Sequence, residues 1–118
     1  MATSNTAYQP AVYNTGILRG DTFSESFTFA TSGVPLDLTG ASVRIQLRNR
    51  SGGVIGSFEN GSGIEAAQDG GAIVWTIEGS QTAAYAPGLY QYDIEVTTGS
   101  TVRTYLSGSF TVQKDITV

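Results

Sequence analysis

Between Pro87 and Thr97 the chain reads P-G-L-Y-Q-Y-D-I-E-V-T. Tyr90, Tyr92, Ile94 and Val96 share one parity, and Gln91, Asp93, Glu95 and Thr97 share the other. An extended backbone sends successive side chains to opposite faces, so this period of two specifies a strand with one dry face and one wet face. Pro87-Gly88 marks a turn just before it. The segment is the expected central strand of the core.

The same alternation recurs along the chain. Asn14 to Leu18 is a short first strand. From Thr22 to Phe29, Phe23, Phe27 and Phe29 face one way and Thr22, Ser24, Ser26 and Thr28 the other. Glu25 breaks that apolar phase. A carboxylate on a core face is unfavourable unless paired, so Glu25 is expected at the sheet margin or beside an arginine. Ser42 to Arg48 is the cleanest case, with Val43, Ile45 and Leu47 inward and Arg44, Gln46 and Arg48 outward. Val54 to Phe58 returns after a Ser51-Gly52-Gly53 hairpin turn. Ala72 to Ile77 follows, with Ile73, Trp75 and Ile77 on one parity. Val102 to Leu106 and Gly108 to Gln113 complete the set, with Phe110 and Val112 inward. Two stretches read as loops: Thr31 to Gly40, with Val34, Leu36 and Leu38 plugging one end of the core, and Glu59 to Gly71, anchored by Ile64 and closed by an Asp69-Gly70-Gly71 turn. Ser80 to Tyr85 reads as one helical turn capped by Ser80 or Thr82.

Seven or eight short strands separated by turn signals make an all-β fold, an immunoglobulin-like antiparallel β-sandwich. In that fold a tyrosine near the start of the sixth strand lies two residues before a disulfide cysteine. Tyr90 matches the tyrosine, and Tyr92 takes the cysteine's place, so apolar packing must replace the disulfide. Residues 1–13 show no steady period and precede a sandwich domain of residues 14–118; they read either as a frayed tail or as an N-terminal arm that orders on a partner. Isolated Tyr8, Val12 and Tyr13 would anchor that arm on a partner. The last four residues are either a strand extension or a second contact tail.

Composition narrows the chemistry. The 118 residues include no cysteine and no histidine. That removes thiolate chemistry, zinc–sulfur sites and the commonest general base. Charged residues are 14% and the net charge is −4, which argues against nucleic acid and anionic membrane as partners. The apolar runs are too short to span a bilayer as a helix, and the N-terminus lacks the pattern of a signal peptide. No cofactor or metal motif is present; Asp69-Gly70-Gly71 with Glu65 falls short of a calcium loop.

Several residues carry competing readings. Arg19-Gly20-Asp21 spells an adhesion tripeptide, but a glycine between two strands reads first as a turn. Arg44, Arg48 and Arg50 form a basic row that is either a docking surface for an acidic neighbour or edge protection. Trp75, with Tyr85 and Tyr105, would form the platform of a carbohydrate-binding module if exposed. An enzyme would need a carboxylate pair, and nothing singles one out.

Four blocks carry a family resemblance: I-L-R-G-D-T-F-S-E-S-F-T-F at 17–29, P-L-D-L-T-G-A-S-V-R-I-Q-L-R at 35–48, G-L-Y-Q-Y-D-I-E-V at 88–96 and G-S-F-T-V-Q-K-D-I-T at 108–117. In this order they resemble the immunoglobulin-like β domains of tailed-phage virion proteins, notably the N-terminal domain of siphophage baseplate upper proteins. The resemblance implies a non-enzymatic structural virion protein, made in the host bacterial cytoplasm. Its role would be a tail or baseplate adaptor that anchors a fibre or receptor-binding component by protein–protein contacts. Its partners would be other virion proteins in a homo-oligomeric or symmetric multi-copy assembly. Because the chain ends where such proteins continue into a fibre or sugar-binding module, a capsid decoration (cement) protein is the alternative expectation. The resemblance supplies no catalytic residues.

Overall fold

The computed structural model describes residues 11–31, 33–66 and 71–114. They form an all-β fold with one helical turn. The strands are β1 (Ala11–Val12), β2 (Thr15–Leu18), β3 (Phe23–Thr28), β4 (Ala30–Thr31), β5 (Val34–Pro35), β6 (Ser42–Arg48), β7 (Val54–Asn60), β8 (Gly63–Ala66) and β9 (Ala72–Ile77). After α1 (Gly79–Thr82) come β10 (Gly88–Thr98) and β11 (Thr101–Gln113).

One curled sheet runs in the order β1-β11-β10-β6-β7-β8-β9-β3, with β2 also on β11, while β4 and β5 form a separate small hairpin. The curl stacks β3 and β9 against β10 and β11. Trp75 on β9 lies at the centre, its ring 4.8 Å from Phe23 on β3, 5.2 Å from Tyr92 on β10 and 5.7 Å from Phe110 on β11. Phe58 on β7 adds a fourth contact at 5.6 Å. Tilted and edge-on rings at these spacings contribute beyond the area they bury. Aromatic rings thus bridge the layers where antibody domains carry a disulfide. The indole N–H of Trp75 is buried without an acceptor, an unfavourable feature that the packing outweighs.

Along the curl, β3, β9 and β8 lie at one end of the sheet order and β7, β6, β10 and β11 follow toward the other. The tyrosine expected at the corner is present: the Tyr90 hydroxyl donates to the Ala86 carbonyl at 2.6 Å. One expectation is corrected. The sheet is mixed rather than antiparallel, because β1 and β2 run parallel to β11, and β7 meets β8 through a short parallel bridge.

Other local readings also shift. The last two expected strands are one, β11, with an irregularity opposite Ile94 and Glu95 that absorbs the phase change. The stretch read as a polar loop contains β8, which seats Ile64 in the core and pairs with β9. Leu38 plugs the core as expected, but Val34 is 65% exposed on the β4–β5 hairpin. The cap of α1 is Glu78, whose N–H donates to the Gln81 side-chain oxygen at 3.2 Å, not Ser80 or Thr82. Thr82 is instead fully buried for another purpose.

Candidate functional site

Two of the three expected arm anchors can be placed; Tyr8 lies outside the described residues, as do the last four residues and Asp69-Gly70. Val12 pairs with Ser107 through β1 and is 72% exposed. Tyr13 is 41% exposed and is tied to the domain at both its main chain and its ring. Its N–H donates to the Ser107 carbonyl at 2.9 Å, and its own carbonyl accepts the Tyr92 hydroxyl at 2.6 Å. Its ring meets Phe27 edge-on at 5.6 Å. The next residue, Asn14, accepts the Ser109 N–H on its side-chain oxygen at 3.0 Å. Residues 11–18 are therefore laid along β11 as a strap.

Glu25 joins this strap to the far end of the sheet. It lies at the margin on β3, half-buried, and no arginine meets it in the contacts described. Instead its carboxylate accepts the Tyr13 hydroxyl at 2.9 Å and the Thr15 hydroxyl at 3.0 Å. The carboxylate, by its hydrogen bond and its charge, pushes the Tyr13 phenol above its ordinary value. Burial raises Tyr92 strongly, with the nearby Tyr13 and Glu25 adding to it. An inward-aimed charge on an end strand also discourages another sheet from adding there.

Two glycines permit the strap's close approach. A Cβ on Gly108 would overlap the Tyr13 carbonyl oxygen, and one on Gly16 would overlap the Thr111 carbonyl oxygen. Tyr92 stands opposite Gly108 in the ladder, so the glycine leaves its ring a path to the strap.

The arginine row is not a free basic edge. Register places Arg44 directly opposite Glu95 on β10 and Glu59 on β7, on the exposed side of the sheet. Arg48 folds along its own hairpin, donating to the Gln46 side chain at 2.6 Å and the Gly52 carbonyl at 3.0 Å. Arg50 lies in the exposed β6–β7 turn. With Asp93 opposite Gln46, this face alternates charge signs and carries more carboxylates than arginines. Open depressions mark it, of about 350 Å³ around Ser42, Arg44, Glu59 and Glu95 and about 60 Å³ around Arg44, Gln46, Asp93 and Glu95.

The adhesion tripeptide is pinned as a turn. Gly20 takes φ +92°, its N–H donates to Thr82 Oγ at 3.0 Å, and Thr82 Oγ donates to the Asp21 carbonyl at 2.7 Å. Arg19 Nε donates to the Ala83 carbonyl at 3.0 Å, so its side chain folds back onto the domain. The sugar platform is absent from these positions, since Trp75 is 0% exposed, Tyr85 is buried and Tyr105 leans on Phe29 at 5.6 Å. Among the described residues no cluster of three or more acidic side chains is assembled as a metal site.

Comparison with known proteins adds fold information only. No family model matches the chain, and no curated protein matches it. Among solved structures, a family 123 glycoside hydrolase from Clostridium perfringens, described in work on glycolipid glycan hydrolysis, aligns with a TM-score of 0.53 at 15% identity. The alignment covers 92% of this chain and 24% of the hydrolase, so the chain spans about a quarter of that protein's length.

Proposed function

We propose that this chain is a non-enzymatic adaptor of a tailed-phage virion, joining a fibre or receptor-binding component to the tail or baseplate through its strand faces. The order of its sequence blocks, together with the all-β fold, supports that class. The observation that carries the mechanism is the Glu59–Arg44–Glu95 row across β7, β6 and β10. Aromatic rings fill the space between the layers, so recognition falls to the outer surface. Alternating charge on a flat strand face selects a partner by complementarity and fixes its register.

The test is capture of the full-length chain from phage-infected cells, with wild type and Arg44→Ala compared side by side. The expected result is a tail, baseplate or fibre protein retained by wild type and lost with the variant, at unchanged melting temperature. Retention of only non-virion proteins, or equal retention by both chains, overturns the proposal.

A further inference from the structure

We propose that residues 11–18 are an exchangeable strand, and that the outer edge of β11 takes up the same segment from a second copy of this chain. The inference is independent of the virion reading and rests on how the strap is held.

No side chain from Ala11 to Leu18 is fully buried; Thr15 and Ile17 are half-buried and the rest are exposed. The β11 residues opposite those two, Phe110 and Val112, are by contrast core residues at 0% and 2% exposure. The segment is thus held mainly by main-chain pairing and by the polar contacts of Tyr13, Asn14 and Thr15; its apolar contacts are Ile17, partly buried against the core, and the Tyr13 ring edge-on to Phe27. Such segments open at low free energy without global unfolding.

Opening leaves a site with defined demands. The Tyr92 hydroxyl, the Glu25 carboxylate and the Ser109 N–H each lose a partner. Gly108 leaves a notch that fits only a close-lying main chain. The sequence T-G-I-L preceded by Tyr13-Asn14 satisfies all of these at once, and every copy carries it. Exchange is reciprocal, so a two-fold dimer re-forms each contact and changes only the connection at Arg19–Thr22. Gly20 gives that connection the freedom to straighten, at the loss of the turn's hydrogen bonds to Thr82 and Ala83. High local concentration, as in a multi-copy assembly, then favours the dimer by mass action.

The chain has no cysteine, so an introduced pair reports without background. Val12→Cys and Ser107→Cys, made together, place thiols on ladder partners of β1 and β11. The folded double variant is oxidised over a hundredfold concentration series and examined on non-reducing gels and by light scattering. The expected result is a closed, doubly bonded dimer whose fraction rises at least tenfold across the series. Bonds only within single chains at every concentration overturn the proposal. So does a ladder of larger species, and so does a folded protein in which neither bond forms.

Discussion

Thr82→Val isolates the hydroxyl that fixes the β2–β3 turn. Thr82 is 0% exposed, and its Oγ accepts the Gly20 N–H at 3.0 Å while donating to the Asp21 carbonyl at 2.7 Å, with the Gly79 carbonyl at 3.1 Å as a second acceptor. Valine keeps the shape and is more apolar, so packing alone predicts equal or greater stability. Hydrogen bonding predicts the reverse. Gly20 N–H and the Asp21 carbonyl each lose a partner, at about 1 kcal/mol apiece because both residues border solvent. A loss of about 2 kcal/mol lowers the melting temperature by roughly 8 °C in a domain of this size. Thr82→Ser keeps the hydroxyl and removes one methyl, for a loss of about 1 kcal/mol. The expected order is wild type, then serine, then valine, read by circular dichroism during heating and by urea titration. A valine variant at or above wild-type stability refutes the reasoning.

Three further outcomes follow from the same contacts. Stability is expected to fall as pH rises above about 10, because Tyr92, Tyr85 and Tyr13 hold their protons in the folded state beyond the pH at which the unfolded chain releases them. Below that pH the contribution is fully present; urea midpoints through the alkaline range test this, and Tyr92→Phe should shallow the decline. Gly108→Ala should displace the strap, so the amides of Tyr13 and Ser109 exchange rapidly in hydrogen–deuterium measurements while Trp75 emission stays unchanged; retained protection at both amides contradicts the close-approach argument. Trp75 fluorescence should stay unresponsive to added mono- and oligosaccharides, and saturable quenching would restore the sugar-binding alternative.

The strands were legible where alternation is strict. Ser42–Arg48 and Ala72–Ile77 appear at the bounds their periodicity specifies, and Tyr90 makes the corner contact its position implies. What alternation cannot encode is partner direction. Nothing in T-G-I-L says that it pairs parallel to β11, because that register depends on Gly16 and Gly108, far apart in the chain. Out-of-phase Glu25 was the one sequence signal of the clasp, but its partners are hydroxyls, which resemble any other polar surface in a sequence. The arginine row was legible only in part for a related reason: the flanking Glu59 and Glu95 lie on other strands, so only the ladder reveals that Arg44 sits between carboxylates. Thr82 looked like a cap because its neighbours are helical, whereas its work is on a turn sixty residues earlier.

The most direct measurement of the proposed adaptor role is electron microscopy of tailed-phage particles purified from infected cells that make this chain, labelled with an antibody to the folded chain. Label concentrated at the tail tip, at a fixed number of sites per particle, is the predicted result. Particles that carry the genome, package it normally and show no label anywhere on the virion contradict the account.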